Sequence, residues 1–400
     1  MRSESHCVSG IRLNAVSAGI KTTGRPDLVL MEIAAGATTA GCFTRNAFCA
    51  APVQVAREHL SRFAPRYLLI NAGNANAGTG EQGLADARQC CAEVAALTGV
   101  AVEQVLPFST GVIGEYLPVN KIKAVLGAAC DGLNPDRWPA AAEAIMTTDT
   151  QAKFCSRKIQ LEGDACTVSG FAKGAGMIKP NMATMLAFLA TDAAVEQKLL
   201  CQLWTEVVEH SFNRISVDGD TSTNDAAILV ASAGLGNAPL VDTQHPDYAS
   251  FKQAVFEVAL ELAQWLVRDG EGATKFVTLQ VLEGRSEEEC LEVAYTIAHS
   301  PLVKTALFAS NPNWGRLLMA IGKADVEALD VGAVSVRLNN VGIVEQGCRA
   351  AQYTEQQGVA AMAPTDITIE VRLGRGSAGA TVWTSDLSYE YVRINAEYRT

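Results

Sequence analysis

The sequence has no hydrophobic run long enough to cross a membrane and no apolar stretch at its N-terminus. A transmembrane helix needs about 20 consecutive apolar residues. A secretory signal peptide needs an apolar stretch that the opening Met-Arg-Ser-Glu-Ser-His-Cys lacks. The five histidines do not recur at the spacing of a metal site. We therefore expect a cytoplasmic protein without membrane attachment and without a bound metal.

Disulfide patterns and an excess of basic residues are also absent. The 11 cysteines are odd in number, scattered and without a CxxC pair, which favours reduced thiols. The chain has 32 basic and 43 acidic residues and a net charge of −11, which argues against a nucleic-acid partner because phosphate binding needs a basic face. With 400 residues, of which 48% are hydrophobic, the chain can form two globular domains.

The most informative segment runs from residue 173 to residue 192. A loop rich in glycine, with Pro180 near its end, leads into the apolar run Met185–Ala190, which has the length of a buried strand. Thr184 stands at the junction. Such a hydroxyl can simply satisfy a loop hydrogen bond. It can also be the nucleophile of a self-cleaving enzyme, which attacks the preceding carbonyl and frees an α-amine that then serves as its base.

The whole segment resembles the cleavage signature of ornithine acetyltransferases, in which the scissile bond lies between Ala and Thr of an Ala-Thr-Met-Leu run. This resemblance implies cleavage between Ala183 and Thr184. Other blocks carry the same resemblance in order along the chain, namely Ser17–Lys21, Asn71–Gly78, Ser109–Gly114, Val217–Asp225, Asp269–Lys275 and Arg393–Thr400.

The resemblance implies an enzyme of arginine biosynthesis that needs no cofactor. It would move the acetyl group from N2-acetyl-L-ornithine to L-glutamate through an acetyl ester on Thr184. The hydroxyl of Thr110 and the backbone N–H of Gly111 would form the oxyanion hole. The family's substrate contacts correspond to Thr147, Lys173, Thr184, Glu271, Asn395 and Thr400. We hypothesise that Lys173 binds a carboxylate and that Glu271 receives an ammonium group.

The fold implied by the resemblance is α/β, a four-layer αββα sandwich of the N-terminal-nucleophile-like type with a smaller C-terminal α/β domain. We predict a catalytic domain over residues 1–282 and a C-terminal domain over 283–400, whose tail returns to the active site. The polar segment 283–289 is the predicted linker. The family assembles as two copies of each of the two fragments, so a heterotetramer is expected.

Hydrophobic periodicity predicts secondary structure independently of the resemblance. The predicted helices are 84–97, 250–267, 292–299 and 314–323, and the predicted strands are 28–33, 67–70, 275–281, 334–338 and 367–373. The 250–267 helix is the clearest, because its apolar residues recur at three- and four-residue steps and form one stripe.

Two glycine motifs imitate a dinucleotide-binding loop. Gly78–Gly83 matches GxGxxG, but its first glycine comes seven residues after Asn71, near which the predicted strand ends, whereas a Rossmann turn needs it at the strand end. Gly374–Gly379 lies between two strand-like runs and is interpreted as a hairpin turn. We therefore reject an oxidoreductase. Asp218–Ser222 imitates a calcium loop, but Thr223 and Leu229 occupy the positions that require Gly and Glu.

Two alternatives within the broader resemblance stay open. A bifunctional enzyme would also accept acetyl-CoA as donor, and nothing in the sequence separates it from the simpler enzyme. A related self-cleaving aminopeptidase would carry serine at the position of Thr184. One departure from the family is Asn311, where an aspartate is common; Asn keeps the turn geometry but loses a charge, which puts a local salt bridge in doubt.

Overall fold

The protein is described by a computed structural model over residues 6–21, 24–179 and 185–397. Its strands are β1 (Ile11–Val16), β2 (Leu28–Ile33), β3 (Thr38–Phe43), β4 (Tyr67–Asn74), β5 (Val105–Val112), β6 (Lys153–Leu161), β7 (Asp164–Lys173), β8 (Leu186–Thr191), β9 (Ile215–Ser216), β10 (Ala226–Ala231), β11 (Phe276–Gly284), β12 (Ser335–Leu338), β13 (Val341–Glu345), β14 (Cys348–Arg349), β15 (Asp366–Arg372) and β16 (Ala378–Ser385). Its α-helices are α1 (Ala51–Leu60), α2 (Gly80–Thr98), α3 (Val119–Asp131), α4 (Trp138–Ala144), α5 (Gln197–His210), α6 (Tyr248–Arg268), α7 (Glu287–Ala298), α8 (Pro301–Phe308), α9 (Trp314–Lys323), α10 (Glu355–Met362) and α11 (Tyr389–Glu397).

Two sheets pack face to face in the N-terminal part of the chain. The first has the strand order β1-β2-β4-β5, and the second has the order β3-β10-β8-β7-β6. Alternate residues of each strand enter the core between the sheets, as the two-residue period of a strand requires. The rings of Phe108 on β5 and Phe188 on β8 meet edge to face in that core, with centroids 5.0 Å apart. The two sheets therefore form a sandwich.

Helices cover both outer faces of this sandwich. On the first sheet, α2 and α3 bury the outward side chains Leu28 and Leu30 of β2. On the second sheet, α5 and α6 pack against Ala187 and Leu189 of β8. The apolar stripe predicted for α6 is buried along its whole length. The predicted αββα layering is confirmed, and the residues that the structure describes contain no helix able to cross a membrane.

A third sheet, of seven strands, carries the C-terminal elements in the order β14-β13-β12-β15-β11-β16-β9. Helices α7 to α10 pack against it and form a separate core. The predicted boundary at residue 282 falls inside β11, and β9 joins this sheet from the N-terminal part of the chain. The division into two domains stays a prediction. The hairpin expected at Gly374–Gly379 is wrong, because β11 lies between β15 and β16.

Every helix and strand predicted from periodicity is present, with shifts of a few residues at the ends. The α2 helix ends at Gly99, which adopts the left-handed conformation that closes a helix (φ +73°). All 11 cysteines carry free thiols. At the position where the family commonly has aspartate, Asn311 is exposed, and the nearby Arg316 donates to the Leu302 carbonyl at 2.8 Å.

The registers of the second sheet bring one set of strand ends together. Leu186 at the start of β8 lies opposite Lys173 at the end of β7, and it also lies opposite Ala226 at the start of β10. The segments that precede β8 and β10 therefore reach the same edge as the segment that follows β7.

Candidate active site

A cavity of about 270 Å³ opens at this edge, between the sandwich and the helix α11. Six residues that the sequence resemblance singled out line it, namely Thr110, Gly111, Thr147, Lys173, Glu271 and Asn395. The predicted Ala183, Thr184 and Thr400 lie outside the described residues. Met185, which follows Thr184 in the sequence, also lines the cavity.

Lys173 is the cation among the described residues that line the cavity. It ends β7, and its Nζ donates to the hydroxyl of Thr147 at 2.7 Å and to that of Thr110 at 3.2 Å. Because both hydroxyl oxygens act as acceptors here, their hydrogens remain available for other partners. Burial lowers the pKa of Lys173, an effect that the nearby Asp149 carboxylate opposes.

A buried ionic cluster of Asp149, Lys153 and Asp269 lies next to Lys173. The Asp149 carboxylate accepts from the Thr147 N–H at 2.9 Å and from the Gly174 N–H at 2.7 Å. The Nζ of Lys153 lies 2.6 Å from Asp149 and 2.5 Å from Asp269. Burial alone raises the pKa of Asp149, but the charges of the two lysines outweigh it and hold this pKa well below its usual range. The cluster fixes the segments on either side of the cavity.

The predicted oxyanion donors stand at the carboxyl end of β5. Gly111 has φ +134°, a conformation that side chains with a Cβ rarely adopt. A Cβ at this position would lie 2.3 Å from the carbonyl carbon of Gly73 on the neighbouring strand. Only glycine therefore lets β5 and β4 approach this closely. The hydroxyl of Thr110 lies on the same wall of the cavity as Lys173.

Glu271 is one of the carboxyl groups that line the cavity, and its charge favours the protonated form of Lys173. It follows α6, and its backbone N–H donates to the Ala175 carbonyl at 2.8 Å. Its side-chain Oε2 accepts from the Nδ2 of Asn395 at 2.7 Å, which joins α11 to the cavity. A Cβ on Gly176 would lie 2.4 Å from the same carboxylate oxygen. The glycine-rich loop thus leaves space for the Glu271 side chain.

The acidic stretch that begins at Asp218 fixes the loop that leads toward the predicted cleavage site. The Asp218 carboxylate accepts from the backbone N–H of Met177 at 2.6 Å and that of Ile178 at 2.8 Å. The hydroxyl of Tyr391 on α11 donates to it at 3.3 Å. No cluster of potential metal ligands occurs within the described ranges. Asp218 acts here as an acceptor for backbone groups.

Two adjacent side chains before β10 complete the wall. The Nδ2 of Asn224 donates to the carbonyls of Ala75 at 2.6 Å and Ser109 at 2.9 Å, so it holds the strand that carries Thr110. Asp225 is 2% exposed, and burial raises its pKa well above the usual value. Both residues line the cavity.

The sequence reasoning missed the supporting groups. No role was predicted for Asp149, Lys153 or Tyr391, which have no local pattern that marks them. The blocks of family resemblance do contain Asp225 and Asp269, so those positions had a signal but no assigned part in the chemistry.

The arrangement is suited to a zwitterionic amino-acid substrate. The described lining residues include one cation, Lys173, several carboxyl groups, among them Glu271, and the hydroxyl and backbone donors of Thr110 and Gly111. No histidine or cysteine is among the described lining residues.

Comparisons with known proteins give consistent matches over the chain. A family model described as the ArgJ family matches residues 12–400. The arginine biosynthesis bifunctional protein ArgJ of Pseudomonas fluorescens (strain Pf0-1) is 56% identical over 398 residues, which cover 99% of this chain and 97% of that protein. The protein of the same name from Methylococcus capsulatus is 57% identical over 393 residues, covering 98% and 96%. The crystal structure of the arginine biosynthesis bifunctional protein argJ from Bacillus halodurans matches with 36% identity and a TM-score of 0.52, covering 54% of this chain and 100% of that one.

Proposed function

This chain belongs to the ArgJ family, and from that premise we propose that it is an acetyltransferase of arginine biosynthesis. It transfers the acetyl group of N2-acetyl-L-ornithine to L-glutamate and releases L-ornithine and N-acetyl-L-glutamate. The observation that carries this proposal is the convergence of Lys173, Glu271 and the Thr110 hydroxyl on one cavity, beside the residue that follows Thr184.

Thr184 is the proposed nucleophile in two successive reactions. First, its hydroxyl attacks the Ala183 carbonyl, and the peptide C–N bond breaks, which forms an ester and frees the α-amine of Thr184. Water then hydrolyses this ester, which releases the Ala183 carboxylate and restores the hydroxyl. Second, the hydroxyl attacks the acetyl carbonyl of acetylornithine while the α-amine takes its proton and passes it to the departing ornithine nitrogen. The amine of glutamate then attacks the acetyl ester and restores the hydroxyl. The reference pKa of an α-amine, near 8, suits this exchange at neutral pH.

The size of one solved relative supports the cleavage step. The Bacillus halodurans chain is matched over its full length by 54% of this chain, and 0.54 × 400 is about 216 residues. Cleavage before Thr184 would leave a C-terminal fragment of 400 − 183 = 217 residues. That solved chain therefore has the length of the proposed fragment.

Charge suggests how the substrate is oriented. Lys173 would bind the α-carboxylate of acetylornithine, because it is the cation among the described lining residues. Glu271 would receive the side-chain ammonium of the substrate. The amide of Asn395, which donates to the Glu271 carboxylate, would keep that carboxylate in place. The acetyl oxygen would then meet the Thr110 hydroxyl and the Gly111 N–H, which stabilise the charge that develops on it.

A second activity is favoured by one observation, the word "bifunctional" in the names of the curated relatives. The donor left open by the sequence is acetyl-CoA. Formation of N-acetylglutamate from acetyl-CoA and glutamate alone would establish this activity, and its absence would restrict the enzyme to acetylornithine. We further propose a cytoplasmic assembly of two copies of each fragment, which native mass would test.

The test of the central proposal is the intact mass of Thr184 variants. Wild type should yield two fragments, the larger beginning at Thr184, and acetylornithine without glutamate should add one acetyl group to that fragment. Thr184→Ala should stay a single chain without activity, and Thr184→Ser should cleave and turn over more slowly. Thr205→Ala serves as the matched control, because Thr205 is exposed and lies on α5, outside the described lining of the cavity. An active uncut Thr184→Ala chain would refute the proposal.

A further inference from the structure

Asp225 is a buried carboxyl group for which the proposed chemistry has no use so far. It lies at the end of the segment that enters β10 and lines the cavity, although only 2% of it is exposed. Within the described part of the chain, its Oδ2 has no hydrogen-bond partner. Buried carboxylates are normally paired, so this group needs an explanation.

The other contacts of this carboxyl group point toward the nucleophile. The hydroxyl and backbone N–H of Ser222 and the backbone N–H of Met185 act on it as hydrogen-bond donors. The next residue, Ala226, donates its N–H to the Met185 carbonyl at 3.0 Å. Met185 is therefore held from both of its backbone groups, and its nitrogen belongs to the peptide bond that joins it to Thr184.

The neighbouring side chain makes the matching contact on the opposite wall. Asn224 donates to the carbonyl of Ser109, the residue before Thr110, at 2.9 Å. Two adjacent side chains thus hold the residue after the proposed nucleophile and the residue before the proposed oxyanion donor.

The charge of Asp225 follows from its surroundings. An ionised carboxylate with one unpaired oxygen in a buried site carries a large desolvation cost. Lys173 favours the ionised form of Asp225, whereas Cys49 does not. Three further carboxyl groups, which oppose a second negative charge, line the same cavity, namely Asp218, Asp220 and Glu271. Burial prevails over Lys173 and raises the pKa of Asp225 well above its usual value.

We propose that Asp225 is a positioning residue that works as a neutral carboxylic acid and, with Asn224, sets the distance between Thr184 and its oxyanion donors. This inference rests on the proposed function of Thr184. Neutrality has a chemical advantage at this position. An anion in contact with Met185, the residue that follows Thr184, would favour the protonated form of the Thr184 α-amine, which cannot act as a base.

The test compares Asp225→Asn with Asp225→Ala. Asparagine keeps the shape, an acceptor for the Met185 N–H and a neutral state. It should retain cleavage and most of kcat. Alanine removes the contact, and a displacement of about 1 Å can lower kcat by about a hundredfold, with KM for acetylornithine little changed.

The pH profile is the second test. Wild type should lose activity on the alkaline side as Asp225 ionises, and Asp225→Asn should lack that loss. Asp131→Asn, an exposed aspartate, is the control.

Several outcomes would overturn the inference. Equal loss of kcat in both variants would show that the ionised carboxylate is required, and wild-type kinetics in Asp225→Ala would show that the contact has no role. If Asp225→Ala does not fold, the pH profile of Asp225→Asn decides alone, and an unchanged alkaline loss counts against the proposal. Wild type that neither cleaves nor becomes acetylated would refute the function of Thr184 instead, so the two failures are distinguishable.

Discussion

The Lys153→Met substitution tests the buried ionic cluster beneath the cavity. The Lys153 side chain is fully buried between Asp149 and Asp269, at 2.6 Å and 2.5 Å. Methionine has a similar volume but no charge, so the substitution leaves two buried carboxylates without their shared partner. Removing one member of a buried ion pair typically lowers the free energy of unfolding by about 3–5 kcal/mol.

The control is the same substitution in an exposed ion pair of equal length. Lys123 lies 2.6 Å from Glu93, and the side chains are 55% and 25% exposed. Lys123→Met should cost no more than about 1 kcal/mol, because solvent screens the pair. Both variants are compared by urea denaturation in the Thr184→Ala background, where a single uncut chain simplifies the unfolding equilibrium.

The pH dependence provides a second, independent readout. In wild type the pKa of Asp149 is depressed, so its contribution to stability is present above its unfolded pKa near 3.8 and is lost only as pH falls through the lower folded value. Without Lys153, less positive charge opposes the effect of burial on the Asp149 pKa, so this pKa rises. The variant should then regain stability as pH is lowered from neutral, and its deficit relative to wild type should shrink. A deficit no larger than that of Lys123→Met, or one independent of pH, would refute this reasoning.

Three further predictions concern the cavity itself. Thr110→Val should lower kcat by about a hundred- to a thousandfold, the usual effect of losing one oxyanion donor, whereas Thr147→Val should act mainly on KM; steady-state kinetics of the pair separates the roles. Gly176→Ala places a Cβ 2.4 Å from the Glu271 carboxylate, so it should raise KM for acetylornithine, and an unchanged KM would remove Glu271 from the substrate site. Above about pH 4, wild type should lose stability relative to Asp225→Asn by up to about 1.4 kcal/mol per pH unit, because only the folded state keeps that proton; urea titrations at several pH values measure this slope.

Local sequence predicts the elements of this protein well because most of them bury one face. The helix predicted over 314–323 is present with the same bounds as α9, and β2 matches its predicted range. Which strands pair with each other was harder to predict from the sequence. The segment Gly374–Gly379 has the composition of a hairpin turn and connects β15 to β16. These two strands are not paired with each other, because β11, from nearly 100 residues earlier in the chain, lies between them. Pairing between distant segments depends on tertiary packing, which a local pattern does not encode.

In the candidate site, too, some residues could be predicted from the sequence and others could not. Residues expected to touch substrate could be proposed from their resemblance to a known family, and six of them line one cavity. The cluster of Asp149, Lys153 and Asp269 could not, because Lys153 and Asp269 are 116 positions apart and no local pattern marks Asp149 or Lys153 as buried. Only the folded chain shows that the Lys153 ammonium is buried between these two carboxylates.

The strand order of the second sheet determines whether the two fragments of the cleaved molecule can separate. A cut before Thr184 would assign β3, β7 and β6 to one fragment and β10 and β8 to the other, so the order β3-β10-β8-β7-β6 interleaves them. The two pieces would share ladders at β3–β10 and β7–β8, six residue pairs each. Separating them requires unfolding of the sheet, so fragments from different molecules should not exchange under native conditions. A mixture of isotopically light and heavy enzyme should therefore keep its parental pairings for as long as the fold survives.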